Sequence, residues 1–301
     1  MPTPTSLKLA FPPMPQTIQQ AVELLRQPAE EVSIREVVKL VEFDPAIAAF
    51  LLKVVNSPMY GQQRRISSIQ RAVMILGIDA SLRHILNHAL AQAAHSIPPG
   101  IKNQYLKIVQ HSVATALMAR YIFHHNLTDT RNLWVRETAA ELFTAALLHD
   151  FGKILLLYNF PEKAIALYEN ALDQGVNIIE LEEEVLGMTH LQTAYDVFER
   201  FKLPKHLEQA ILLHHAPISQ VQMLPEELSR LALFLIAANN AAQIFSEEAT
   251  PVEERMQQIQ KLPEWRALVQ NEILTLEEME NVLEALPGYY EQTKEYLSLL
   301  H

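Results

Sequence analysis

Cysteine is absent from the 301-residue chain, and glycine is scarce at 7 residues. The first absence removes disulfides, thiolate nucleophiles and cysteine-ligated zinc or iron–sulfur sites, so any metal site must be built from His, Asp or Glu. The second bears on the fold. At an average usage of ~7%, a chain of this length would hold roughly 20 glycines. Folds that spend glycine on hairpin turns, bulges and phosphate-cradling loops are disfavoured, and helices joined by proline-punctuated connections are favoured; there are 17 prolines. A long apolar run is missing as well. The longest uncharged apolar stretch, Leu231 to Ala238, falls well short of the ~18 residues of a membrane span, and the proline-broken Met1–Pro15 lacks the core of a signal peptide. Basic residues are the minority, 24 against 35 acidic, for a net charge of −11, which argues against nucleic-acid and anionic-membrane partners. The expectation is a cytoplasmic protein. From Pro251 to His301, 10 Glu face 4 Lys/Arg, so the acidity concentrates at that end.

What is present is a globular composition, 49% hydrophobic and 20% charged, punctuated as helix after helix. Thr17–Arg26 places Ile18, Ala21, Val22 and Leu25 on one face before Pro28. Ser33 with Glu36 forms a capping-box pattern opening 33–41, and Asp44-Pro45 reads as N-cap and first-position proline of a nearly all-apolar helix, 46–55. Ser68–Leu76 closes at Gly77 in the place of a C-cap glycine, and Asp79 reads as the cap of a helix reaching about His95. Ile97-Pro98-Pro99-Gly100 is the clearest linker. It divides an N-terminal helical subdomain, 1–97, from a second, 101–246, with helices at about 101–125, 134–149, 161–174, 178–186, 189–201, 204–215 and 225–246. The acidic segment 247–301 reads as looser, with helical patterns near 252–261 and 276–286. No run shows period-two alternation with turn punctuation, so the fold class is all-α, a multi-helix bundle.

Twelve histidines are a high number, and their neighbours carry more information than their count. His111 has Ile108, Ala114, Thr115 and Met118 on its own helix face, which points it inward. His149-Asp150 follows the apolar run 143–148 at a helix end before Gly152. Thr189 and Gln192 form a capping box that places His190 in a first helical turn, and His214-His215 end the helix opened by Pro204. Singly, each has a bland explanation as a satisfied core residue or a helix-end charge. Jointly, separate helices deliver imidazole or carboxylate at their inward ends, the donor set of a nitrogen/oxygen metal site suited to iron, manganese or zinc.

Together, His111, His149-Asp150 within Leu147-Leu148-His149-Asp150-Phe151-Gly152-Lys153, Gly187-x-x-His190 and His214-His215 resemble the HD superfamily of metal-dependent phosphohydrolases. Asp44-Pro45-Ala46-Ile47-Ala48, Leu51-Leu52, Asn56-Ser57, Ile69, Ala72-Val73 and Leu76-Gly77 narrow the resemblance to the HDOD family, the HD-related output domain, over about Met14 to Gln243. The resemblance implies an HD-like helical bundle in a bacterial signal-transduction protein. It also implies a metal ligand set of His111, His149, Asp150, His190, His214 and His215, with Asn239 where HD enzymes carry a last aspartate. Lys107 stands one turn before His111, where the related HD-GYP phosphodiesterases carry a glutamate ligand, and Lys153 matches their phosphate-binding lysine.

Three readings stay open. The chain is a signalling module without turnover that works through contacts with a protein partner, as Asn239 and Lys107 favour. It is a phosphohydrolase acting on nucleotides or cyclic dinucleotides with one or two divalent metals, as the six retained positions favour. Or it is a vestigial metal or small-ligand sensor. An amide at 239 brings no charge and competes poorly with water for a hard cation.

Overall fold

The structure, a computed structural model, describes residues 9, 16–25, 27, 31–42, 45–60, 66–93, 97–124, 133–174, 177–200, 204–246, 250–271 and 273–298. Capping chemistry sets where its helices begin and end. The Ser33–Glu36 box closes as expected: Ser33 N–H donates to Glu36 Oε2 at 2.8 Å and Glu36 N–H to Ser33 Oγ at 3.3 Å, opening a helix over Ile34–Glu42. Ser68 Oγ accepts from Arg71 N–H, and Gly77, at φ 83°, closes the helix Ile69–Leu76 by donating to the Val73 carbonyl. Gly187, at φ 74°, ends Ile178–Leu186 in the left-handed conformation that costs glycine nothing. Asp44 lies outside the described residues. Asp79 does not cap: the helix begins at Ile78, so Asp79 falls in its first turn and pairs with Arg83 at 3.0 Å.

In chain order the helices are α1 (Gln16–Leu25), α2 (Ile34–Glu42), α3 (Pro45–Val55), α4 (Ile69–Leu76), α5 (Ile78–Ala93), α6 (Pro99–His124), α7 (Leu133–Leu148), α8 (Phe151–Asn159), α9 (Pro161–Gln174), α10 (Ile178–Leu186), α11 (His190–Arg200), α12 (Lys205–Leu212), α13 (Ile218–Val221), α14 (Glu226–Ser246), α15 (Val252–Lys261), α16 (Pro263–Gln270) and α17 (Leu276–Ser298). A 3-10 turn spans Pro58–Tyr60, and no strand occurs among the described residues. The all-α expectation holds. The expected linker is short. Ile97 is buried and Pro99 already opens α6, using the first helical position where a missing N–H costs nothing.

The helices α1 to α5 pack on one another, and α5 touches α6. Around α6 lie α7, α8, α9, α14 and α17. Among the described helices α14 alone is long and apolar enough to cross a membrane by length and composition, but 72% of its most apolar window is buried within the protein. Ala237, Ala238, Ala241 and Ala242 on it are buried, and such small side chains let neighbouring helices approach closely. One continuous apolar core runs from Ala21 to Tyr290, each large side chain in it contributing ~1.5–3 kcal/mol on burial.

The segment expected to be looser is ordered as α15, α16 and α17. Trp265 and Leu268 are fully buried against the core, α16 packs on α14, and Tyr121 of α6 stacks on Tyr289 of α17 at 4.2 Å. Arg255 turns inward, donating to the Phe245 carbonyl at 2.8 Å. The glutamates hide an apolar stripe, Val282, Leu283, Leu286 and Tyr290, whose burial carries α17 through Pro287 and past the expected end at 286. The helix α8 was absent from the expectation altogether; Leu155, Leu156 and Leu157 are all buried, so its sequence shows no amphipathic period.

Trp265→Ala should cost about 3–5 kcal/mol in urea unfolding, the usual penalty for emptying a fully buried indole site; a loss under about 1 kcal/mol would mean that α16 is not part of the core. A second expectation concerns pH. His84, buried on α5 with the Tyr60 hydroxyl 3.1 Å from its Nε2, is pushed down to about 3 by burial and by Arg120 and Arg83. It stays neutral in the fold while the unfolded chain takes up a proton below about 6.5. Stability from this group is therefore lost as pH falls from about 6.5 towards 3, by up to about 1.4 kcal/mol per pH unit. His84→Gln should flatten the dependence between pH 7 and 5, and an unchanged slope would contradict the assignment.

Candidate metal centre

Asp150 occupies the N-cap position of α8, where an aspartate ordinarily accepts a bond from its own helix, yet its side chain makes no capping bond. The carboxylate turns instead to the middle of four imidazoles. His149 precedes it in the turn after α7, His111 projects from α6, His190 opens α11, and His214 stands in the turn that ends α12. Asp150 Oδ1 lies 3.7 Å from His190 Nε2 and 3.6 Å from His214 Nε2. On the other side, Oδ2 lies 3.4 Å from His149 Nε2, 3.9 Å from His111 Nε2 and 2.8 Å from Lys153 Nζ. His215 completes the Oδ1 group, its ring 4.1 Å from that of His214 and 5.1 Å from that of His190. His149, Asp150, His190 and His214 are buried, whereas His111 and His215 are only partly so.

Each buried imidazole is fixed from behind. His149 Nδ1–H donates to the Ala146 carbonyl at 2.7 Å and His214 Nδ1–H to the Ile211 carbonyl at 2.6 Å, each three residues back along its own helix. His190 Nδ1–H donates to Glu182 Oε2 at 2.7 Å. With the proton on Nδ1, each ring presents a lone pair at Nε2, the tautomer that a metal ligand requires. His190 Nε2 and His214 Nε2 then face each other at 3.3 Å, two lone pairs with no proton between them. His149 Nε2 and Asp150 Oδ1 are buried without a hydrogen-bond partner. Buried polar atoms are ordinarily paired, and a cation of the N/O class satisfies Asp150 Oδ1, His190 Nε2 and His214 Nε2 together. The donor set fits a divalent metal.

The electrostatics agree. Burial pushes His149, His190 and His111 below their ordinary range, so these rings are neutral at pH 7. Burial alone would raise Asp150, but His149, Lys153, His214 and His190 hold its carboxyl well below the usual carboxylate range. Neutral nitrogen donors around an ionised oxygen donor make a cation site.

Asn239, on α14, lies beside His111 and accepts from its Nε2–H at 2.8 Å. The structure therefore brings all the sequence-derived candidates together, but pairs two of them with each other. Lys107 and Lys153 both line a cavity of about 550 Å³ that opens onto Asp150, along with Tyr168, Asn240 and Gln243. Asn240 is held by Glu264 of α16, so the acidic C-terminal segment reaches the cavity wall.

Two participants escaped sequence reasoning. Glu182 is fully buried, and Tyr168 donates to its Oε1 at 2.9 Å. The signal was present: Ile178, Ile179, Val185 and Leu186 stand three and four residues to either side of Glu182, placing it on an apolar face. The surrounding run of glutamates masks that pattern.

A family model of the HDOD domain matches residues 11–217. The chain belongs to the HDOD family. An uncharacterized protein of Treponema pallidum (strain Nichols) is 23% identical over 244 residues, 81% of this chain and 44% of that one, so the chain spans less than half of this relative's length. An HDOD domain protein of unknown function from Geobacter sulfurreducens superposes with a TM-score of 0.74 at 19% identity, covering 97% of this chain and 94% of its own. A candidate phosphohydrolase from Shewanella amazonensis SB2B gives 0.68 at 20% identity, covering 97% and 95%. A candidate signal transduction protein from Marinobacter aquaeolei VT8 gives 0.63 at 19% identity, covering 96% of this chain and 59% of its own. At these identities the likeness establishes the shared HDOD fold.

Within that fold the HDOD centre depends on one glycine. A Cβ on Gly152 would overlap the His190 carbonyl and come within 2.7 Å of Thr193 Oγ1, so α8 and α11 meet only because residue 152 has no side chain. Gly152→Ala should therefore move His190 away from Asp150 and cost about 1–3 kcal/mol from overpacking, read by thermal melting and by weakened metal binding; wild-type values for both would mean that the contact yields without consequence.

Proposed function

We propose that this HDOD protein is a signal-transduction module whose centre holds one divalent cation, iron, manganese or zinc, and that it acts in the cytoplasm through binding to a protein partner rather than through turnover. The observation that carries this reading is the division of the Asp150 carboxylate. Oδ1, without a hydrogen bond, faces His190 and His214, with His215 in the same group. Oδ2 is taken by the Lys153 ammonium at 2.8 Å, on the side where His111 and His149 lie. A bridging carboxylate between two metals needs both oxygens, and here an ammonium stands at the second. His111 is likewise engaged by Asn239, and Lys107 adds a positive charge at the cavity wall. One divalent cation supplies positive charge and Lewis acidity. His190, His214 and Asp150 would hold it, with His215 as a fourth donor, while Lys153 balances the remaining charge of Asp150.

The second reading, a metal-dependent phosphohydrolase acting on nucleotides or cyclic dinucleotides, draws on the cavity. Its volume suits a nucleotide, and Lys107 and Lys153 offer two cations to phosphate oxygens. The shared fold with a candidate phosphohydrolase is compatible with either reading.

Metal-loaded protein given a phosphomonoester, a phosphodiester and a cyclic dinucleotide should release product no faster than Asp150→Ala. Turnover that Asp150→Ala abolishes would establish the phosphohydrolase instead. The triple substitution Lys153→Ala, Asn239→Asp and Lys107→Glu, which frees Oδ2 and adds carboxylates on that side, should raise the bound metal from about one to two ions per chain, and a count already at two in the wild type would overturn the one-cation reading.

A further inference from the structure

We propose that Glu182, braced by Tyr168, is a positioning residue of the metal centre: its carboxylate fixes the His190 tautomer and strengthens His190 as a metal donor. The proposal rests on the metal-holding reading above. His149 and His214 are each oriented by a neutral backbone carbonyl, whereas His190, of these three, is backed by a carboxylate. The contact is close and doubled. Glu182 Oε2 accepts from His190 Nδ1–H at 2.7 Å and from the His190 backbone N–H at 2.8 Å, and Oε1 accepts from Tyr168 O–H at 2.9 Å. All three neighbours are donors, which suits the ionised carboxylate.

Burying such a carboxylate demands compensation. Glu182 and His190 are both fully buried. A carboxylate in a dry interior is poorly matched unless positive charge stands nearby. Positive charge bound at Nε2, across the ring, restores the balance, and Nε2 is the atom that points towards Asp150 Oδ1 and His214. Glu182 thus makes the ring more electron-rich at the donor atom, and the metal makes the buried carboxylate tolerable. A charged partner behind a ligand histidine is typically worth 10- to 100-fold in metal affinity.

The test is a Co(II) titration of chelator-stripped protein, read by visible absorption and by competition with a chelating dye, on wild type, Glu182→Gln, Tyr168→Phe and Glu183→Gln. Glu183 is an exposed neighbour on α10 and serves as control. Glutamine keeps an acceptor oxygen for His190 and loses the charge, with its amide NH2 facing Tyr168 in place of Oε1. Glu182→Gln should bind Co(II) 10- to 100-fold more weakly, with a shifted visible band, while Glu183→Gln matches wild type. Tyr168→Phe, which removes a single oxygen, should weaken binding in the same direction and to a lesser degree. Wild-type affinity and band in Glu182→Gln would overturn the proposal even if its metal-free melting temperature fell, because that pattern marks a merely structural role. Should Glu182→Gln not fold, wild-type affinity in Tyr168→Phe would overturn it. Failure of wild-type protein to bind Co(II) would overturn the metal reading itself, an outcome distinct from equal binding by wild type and variant.

Discussion

The convergence of unprotonated imidazole nitrogens on one buried carboxylate is the constraint on which the rest of the structure depends. His190 and His214 bring Nε2 to 3.7 and 3.6 Å from Asp150 Oδ1 and to 3.3 Å from each other, and His149 brings Nε2 to 3.4 Å from Oδ2. Without positive charge this is an unfavourable arrangement, since lone pairs oppose one another and buried acceptors go unpaired. Lys153 neutralises one side, at Oδ2. The other side is composed only of acceptors, and a divalent cation is the species that satisfies them together.

The fold holds this arrangement through backbone devices, which is why the donors are rigid. His149 and His214 each bond the carbonyl three residues before them, so helix ends double as supports for the ligands. Asp150 forgoes the capping bond that its position offers and leaves α8 uncapped by side chain, a local cost offset by the buried leucines that follow. Gly152 lets α11 come close enough for His190 to reach the same point. The long buried helix α14 then brings Asn239 to His111, across 128 residues of sequence. Each device would be unremarkable alone; together they bring side chains from α6, the α7–α8 turn, α11 and the α12 turn to one carboxylate.

Much of this was legible in the sequence, and the limits have physical reasons. Ser33–Glu36, Ser68, Gly77 and Thr189–Gln192 act through local chemistry, so their helix ends could be read directly. The inward direction of His111 and the helix-end positions of His149, His190 and His214 also follow from local periodicity. What local reading cannot supply is pairing across the chain. That His111 meets Asn239, and that Lys153 takes one oxygen of Asp150 and leaves the other, are tertiary facts. Composition misled twice, and for one reason. A run of glutamates reads as solvated, so it concealed both Glu182, buried among isoleucines, valine and leucine, and the apolar stripes that bind α16 and α17 to the core. Asp79 misled differently: an acidic residue near a helix start fits either a cap or a first-turn partner, and Arg83 four residues later decided for the latter.

The central claim, that one cation sits on the Oδ1 side of Asp150 while Lys153 takes the place of a second, is tested most directly by anomalous X-ray diffraction from crystals of metal-loaded protein. The account predicts a single anomalous peak per chain, within bonding distance of Asp150 Oδ1, His190 Nε2 and His214 Nε2, with Lys153 still bonded to Oδ2. Two peaks flanking the Asp150 carboxylate, or none in protein shown to be saturated with metal, would contradict it.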